Sequence, residues 1–199
     1  MARTRAADYG EKQRAILESA ATVFAVQGME KASMAQIARQ ANVSKALLYH
    51  YYPSKDALIF GIVRTHLLDL ESAVECADDA SLAPETQLRA MVWAVLEQYR
   101  GADTKHNVQI NGTQNLSEDQ KEALRVIERR IVRRFAQALL RISPALETSE
   151  RSLTMPVTMS LFGMLNWVYH WFRDGGALSR EAYADLASTL ILTGVKGLK

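Results

Sequence analysis

Cysteine is almost missing from this 199-residue sequence: Cys76 stands alone, which excludes an intramolecular disulfide framework and any multi-cysteine metal site. A lone cysteine is expected to be a passive, partly buried helix residue. Proline is scarce, at four residues, and the ten glycines fall mostly at breaks, so little obstructs long helices. Long apolar runs are missing too. None approaches the roughly eighteen residues that span a bilayer, and the basic start MARTRAADYGEKQR leads into no apolar targeting core. The expectation is a cytoplasmic protein with no membrane partner. The four histidines, His50, His66, His106 and His170, show neither metal-ligand spacing nor a catalytic partner. No metal, cofactor or catalysis is expected. The pair Tyr51 and Lys55 matches the Tyr-x-x-x-Lys spacing of short-chain dehydrogenases, but no glycine-rich strand-to-helix turn accompanies it to hold a dinucleotide.

What is present is an ordinary soluble composition, 48% hydrophobic and 23% charged, enough for one or two cores. The net charge of +2 conceals an asymmetry: through His66 there are nine Lys/Arg against five Asp/Glu, and beyond it 15 against 17. A polyanion would dock on the N-terminal third. Apolar residues recur at three and four along nearly every segment, and no stretch alternates with β-branched enrichment, so the fold class is all-α. Helices are expected at about 11–27, 33–41, 45–52, 55–77, 84–100, 117–142, 150–173 and 179–198, with an irregular short one near 106–115. Ser33 with Gln36, and Ser117 with Gln120, have the spacing of capping boxes; Ser179 offers a weaker cap.

The stretch SKALLYHYYPSKDAL, residues 44–58, is too rich in tyrosine and lysine for a core helix. Asn42 tolerates the left-handed backbone of a tight turn, Val43 tucks under it, and Ser44 caps the following helix, which Pro53 ends. Helix, tight turn, helix is the layout of a DNA-reading unit. Leu48 and Tyr52, four apart, share a face with Val43 and Ile37 and are expected in the core. Lys45, Ala46, Leu47, Tyr49 and His50 then point outward. Lys45 can donate to guanine or phosphate, Ala46 permits close approach, and Leu47 can cover a thymine methyl. Tyr49, His50 and Tyr51 offer donors to flanking phosphates, and Lys55 is a further phosphate anchor at the start of the fourth helix. Ser33 and Ser44, at the starts of the two helices, complete the expected DNA-side set.

The run ASMAQIARQANVSKALLYHYYPSKDAL, from Ala32 to Leu58, resembles the N-terminal domain of TetR-type transcriptional repressors, with its valine-serine-lysine turn, its leucine-tyrosine pair and its proline-serine-lysine start of the next helix. Ala46 and Leu47 depart from the glycine and small polar residue common there, which leaves the operator sequence open. The resemblance implies a three-helix helix-turn-helix DNA-binding domain, residues 1–54, and a larger helical ligand-binding and dimerisation domain, residues 55–199. It further implies a cytoplasmic, nucleoid-associated homodimer that binds a double-stranded palindromic operator and is released by a small-molecule inducer.

In the C-terminal part, MPVTMSLFGMLNWVYHWFRDGG is apolar on nearly every side of a helix, so it must be covered all round. One side can pack on its own domain and another on a second subunit, with the last helix beside it, as a four-helix interface. Leu165, Val168, Trp171, Phe172, Leu186, Leu190, Ile191 and Gly194 are the expected interface residues. Asn166, with Tyr169 and His170 one turn on, brings polar groups into apolar surroundings, either as a small-molecule site or as an interface-bonded asparagine. Arg125, Arg129, Arg130, Arg133 and Arg134 lie opposite the apolar Leu124, Ile127, Ile131 and Phe135; they form a solvated face or grip an anionic ligand.

The stretches IERRIVRRF and FGMLNWVYHWFRDGGALS resemble the acyl-CoA-responsive branch of the TetR family, which includes regulators of fatty acid, steroid and phenylacetate degradation; ALLYHYYPSKDALIFGIVRTHLLDL resembles most the phenylacetate regulators. This implies an acyl-CoA inducer, phenylacetyl-CoA first. Trp93, Phe135, Met159, Phe162, Asn166 and Trp167 would line the acyl pocket, with His170 beside it where relatives often carry arginine. Arg125, Arg129 and Arg133 would meet the CoA phosphates. The competing readings are a TetR-type regulator of another effector, such as a hydrophobic drug, and a helical ligand-binding protein that never touches DNA.

Overall fold

The computed structural model describes residues 2–148 and 150–198, with side chains from residue 9 onward. Among the described residues the secondary structure is helical except for one isolated antiparallel bridge between Glu147 and Ser152. The order is α1 (Ala2–Gln27), α2 (Met34–Gln40), α3 (Lys45–Tyr51), α4 (Lys55–Ala77), α5 (Pro84–Gln98), α6 (Asp103–Gly112), α7 (Glu118–Ile142), α8 (Thr154–Asn166), α9 (Val168–Trp171) and α10 (Arg180–Gly197). Single 3-10 turns follow α6 at Thr113–Asn115 and α7 at Pro144–Leu146.

Three boundaries differ from the sequence expectation for physical reasons. α1 begins at Ala2 rather than near residue 11, because its amphipathic pattern starts late while Ala, Arg, Glu and Lys upstream are good helix formers in their own right. The single helix expected over 150–173 is two shorter helices. Pro156 has no N–H and fits only a first turn, so α8 starts at Thr154, and a turn at Trp167 separates it from α9. Segment 103–112 is a regular helix rather than an irregular one. Both capping boxes form: the Ser33 amide donates to Gln36 Oε1 at 2.8 Å and the Gln36 amide to Ser33 Oγ at 3.3 Å, with the same exchange between Ser117 and Gln120 at 3.1 and 3.2 Å. Ser179 caps α10 through the Ala182 amide at 3.0 Å.

The chain forms two compact units, residues 1–66 with 101–124, and residues 67–100 with 125–199. In the first unit, Ile16, Leu17, Ala20 and Phe24 of α1 meet Ile37, Leu48, Leu58, Ile62 and Val63 in one buried core. Gly61 makes the crossing of α1 and α4 tight: a Cβ there would lie 2.9 Å from Leu17 Cδ2 and 3.0 Å from the Tyr52 ring. Burial then pushes the Tyr52 hydroxyl up to about 12, helped by nearby Tyr9 and Tyr51. Gly112 of α6 is similarly enclosed by Met29, Ile59 and Val108. His66 of α4 and His106 of α6 are both buried, their rings 6.2 Å apart and edge to face.

The second unit buries Leu88, Met91, Val92 and Val95 of α5 with Ile131, Phe135 and Leu139 of α7, Leu161 and Leu165 of α8, and Ala187 and Ile191 of α10. Its polar groups are tied together. Arg130 grips both oxygens of Glu71, Arg134 reaches Glu75 at 2.6 Å and Asp78 at 3.1 Å, and Arg141 donates to Gln87 and to the carbonyls of Ala80 and Leu82. Arg180 is buried, donates to Leu96 O at 3.1 Å and to both Asp174 oxygens, and lies over the Phe172 ring. Cys76 is exposed on α4, not partly buried as expected.

Candidate nucleic-acid interface and effector domain

The reading helix α3 is held in place from both ends. Asn42 adopts φ 52°, and the Val43 amide returns to Ala38 O at 3.0 Å, which closes the turn between α2 and α3. Ser44 accepts from the Leu47 amide at 3.1 Å, and Ser54 from the Ala57 amide at 3.1 Å, so α3 and α4 start on either side of Pro53. Leu48 is fully buried and Tyr52 nearly so, which fixes the rotation of α3 about its axis.

That rotation leaves Lys45, Ala46, Tyr49 and His50 exposed and Leu47 half-buried. Ser33 and Ser44 lie at the exposed starts of α2 and α3, their hydroxyls engaged as caps. From Lys31 to Lys55 the chain carries Lys31, Arg39, Lys45 and Lys55 and no acidic residue. Lys31, Arg39 and Lys45 are exposed. A basic surface around a helix fronted by Lys45, Ala46, Tyr49 and His50 suits a duplex backbone and major groove.

Two of the expected residues sit differently from the rest. Lys55 turns its ammonium to the carbonyls of Met29 and Glu30, both at 2.8 Å, so two of its three donors serve the loop before α2. Tyr51 is half-buried and stacks on Tyr9 of α1, with ring centroids 4.7 Å apart. Sequence reasoning did not single out Tyr9, because it precedes the amphipathic pattern of α1.

In the second unit the expected pocket residues divide. Phe135 and Phe162 are buried and meet edge to face at 5.0 Å. Trp93 is half-buried on α5. Asn166, half-buried, accepts a hydrogen bond from the Tyr99 hydroxyl at 2.8 Å. Tyr99 itself was not anticipated, though it continues the apolar spacing of Val92 and Val95; its burial, and to a lesser extent Glu128, raises its pKa. Met159 and Trp167 face outward instead, at 52% and 61% exposure, and exposed His170 stacks between Trp167 and Tyr169. The reason is helical phase: Leu161, Phe162 and Leu165 take the core side of α8, which turns 155, 159, 163 and 167 to the outside.

The expected interface set divides by the same rule. Trp171, Leu186, Leu190 and Gly194 are exposed, whereas Leu165, Val168, Phe172 and Ile191 are buried within their own unit. Of the arginines on α7, Arg130 and Arg134 are bound to Glu71 and Glu75 of α4 and to Asp78 just beyond it; Arg125, Arg129 and Arg133 are exposed. Among the described residues no group of three His, Cys, Asp or Glu could hold a metal ion, and no helix is long and apolar enough to cross a membrane.

A short capped helix pair with an outward basic face, joined to a larger helical unit, defines a DNA-binding regulator. Comparison with known proteins agrees. Residues 16–62 match the family model for bacterial regulatory proteins of the tetR family, and residues 81–195 match the Tetracyclin repressor-like C-terminal domain. A TetR-family transcriptional regulator from Bordetella parapertussis 12822 is 34% identical, over 94% of this chain and 97% of that one, with a TM-score of 0.82. The chain belongs to the TetR family. AibR, solved in complex with isovaleryl coenzyme A and operator DNA, is 26% identical over 90% of this chain and 97% of its own, with a TM-score of 0.77. The transcriptional regulator BetI of Rhizobium meliloti (strain 1021) is 32% identical over 81 residues, which span 41% of this chain and 40% of BetI. These relatives are transcriptional regulators, and this chain is a regulator rather than an enzyme.

Proposed function

We propose that the protein is a homodimeric repressor that binds a palindromic operator and is released by an acyl-CoA thioester, with phenylacetyl-CoA the first candidate. The observation that carries the DNA reading is α3 itself, fixed by Leu48 and Tyr52 and fronted by Lys45, Ala46, Leu47, Tyr49 and His50 without an acidic neighbour. Lys45 reads a base or phosphate, Leu47 covers a thymine methyl, and Tyr49 and His50 donate to phosphates.

The dimer reading is supported by apolar residues with no cover in the protomer: Met155 and Met159 on α8, Trp167 in the turn after it, Trp171 on α9, and Leu186 and Leu190 on α10, each 45% exposed or more. Exposed apolar residues in this number mark an interaction surface, and two copies of α8 and α10 make a four-helix interface. Gly163 and Gly194 lie on it without side chains to hold the partner away.

The effector reading is supported by the likeness to AibR, which was solved with isovaleryl coenzyme A, and by the exposed Arg125, Arg129 and Arg133, suited to phosphates. Phe135, Phe162, Trp93 and the Tyr99–Asn166 pair are the acyl-side candidates. α4 contributes residues to both compact units and is the lever: bound thioester favours a spacing of the paired reading helices that no longer fits successive major grooves. The test is a thermal-shift screen of the full chain with phenylacetyl-CoA, isovaleryl-CoA, free CoA and a hydrophobic cation, followed by operator titration. The reading expects stabilisation by the thioesters and release of operator. Stabilisation by the cation alone, or operator affinity unchanged at saturating thioester, contradicts it.

A further inference from the structure

α1 brings to the reading helix an aromatic residue that lies outside the helix-turn-helix. The Tyr9 ring lies 4.7 Å from that of Tyr51, with planes inclined by 32°, and Tyr51 meets His50 edge to face at 5.8 Å. The result is a row of three rings supplied by two helices that are some forty residues apart. The row does not serve the core. The buried face of α1 begins at Ile16, whereas Tyr9 is 46% exposed and His50 is exposed. Stacking on Tyr51 therefore fixes Tyr9 at the flank of α3, beside an exposed imidazole and outside the apolar interior. Tyrosine hydroxyls and imidazoles are neutral donors of the type that meets phosphate oxygens and sets the register of a protein on a duplex.

We propose that Tyr9 is a DNA-backbone contact contributed by α1: its hydroxyl donates to a phosphate flanking the groove that α3 enters, and Tyr51 and His50 continue the row. The inference rests on the regulator reading above. It extends the interface beyond the turn-linked helices and makes the start of α1 part of the operator footprint.

The test uses the full chain and the duplex that it enriches from a randomised library, with affinity followed by fluorescence anisotropy over a series of salt concentrations. Tyr9→Phe keeps the ring and the stack and removes only the hydroxyl. The expected result is binding about ten-fold weaker, the loss of one hydrogen bond to a charged acceptor. The salt slope stays unchanged, because no charge is lost, whereas Lys45→Ala lowers it by about one. A neutral methylphosphonate is then placed at each flanking phosphate in turn. At one position the unmutated chain should lose about ten-fold and Tyr9→Phe nothing further, a signature that a packing role for the ring would not produce. Unchanged affinity of Tyr9→Phe, or additive losses at every flanking phosphate, overturns the inference. Failure of the unmutated chain to enrich any duplex overturns the regulator reading instead.

Discussion

Two basic regions of the molecule treat their charges in opposite ways. Between Lys31 and Lys55 four basic side chains occur with no acid, and three of them are exposed. On α7, by contrast, Arg130 and Arg134 are bound to Glu71, Glu75 and Asp78. Paired arginines close a helix contact, and the Arg130 guanidinium, hydrogen-bonded to Glu71, holds that carboxyl below its usual range. Lys31, Arg39 and Lys45, exposed in a stretch that holds no acid, are the cations open to an external anion. The count of basic residues is thus a poor guide to function, and the placement of acids decides it.

The largest expected effect attacks the uncovered face of the second unit. Leu190→Glu places a charge where the dimer reading buries Leu190, a cost of about 4 kcal/mol. Sedimentation velocity should show monomers, with operator retention lost although the reading helix is intact; dimers of unchanged affinity would move the interface elsewhere.

The next effect is confined to the first unit and is set by acid. Burial, with smaller contributions from His106 and Lys105, lowers the His66 pKa from 6.5 to about 4, and Lys105 has its own partner in Glu18 at 3.9 Å. The folded state keeps this imidazole neutral while the unfolded chain protonates it. The stability contribution is therefore fully present above pH 6.5 and is lost as pH falls from there toward about 4, on the order of 3 kcal/mol. Denaturant midpoints measured from pH 7 to pH 4 should fall, and His66→Phe should flatten the profile. An unaltered slope in that variant would remove His66 as the cause.

The smallest effect tests the paired arginines. Arg134→Ala should cost about 1 kcal/mol, less in high salt, because its side chain is partly exposed and its partners are carboxylates at the end of α4 and just beyond it. Duplex affinity should not change, and a drop comparable with that of a reading-helix variant would break the contrast.

Much of the first unit is legible in sequence because its signals are local. The Ser33–Gln36 box, Asn42 in the left-handed region and the cap at Ser44 act over three to five residues, and each forms as its spacing implies. The second unit is less legible because its decisive information is rotational and distant. A segment apolar on all sides does not say which side is inside, so Met159 and Trp167 exchange places with Leu165 and Val168 between pocket and interface expectations. Glu71, Glu75 and Asp78 stand more than fifty residues from the arginines that bind them. Tyr99 and Asn166 meet across 67 positions. Lys55 reads as a phosphate anchor until the Met29 and Glu30 carbonyls are placed beside it.

The most direct test of the central claim, that the acid-free face of α2 and α3 meets DNA, is the salt dependence of duplex affinity for the full chain, Lys45→Ala and Arg133→Ala. The account predicts that Lys45→Ala binds about ten-fold more weakly, with the log–log salt slope reduced by about one, and that Arg133→Ala matches the unmutated chain. Equal affinity and slope for Lys45→Ala and the unmutated chain would contradict it.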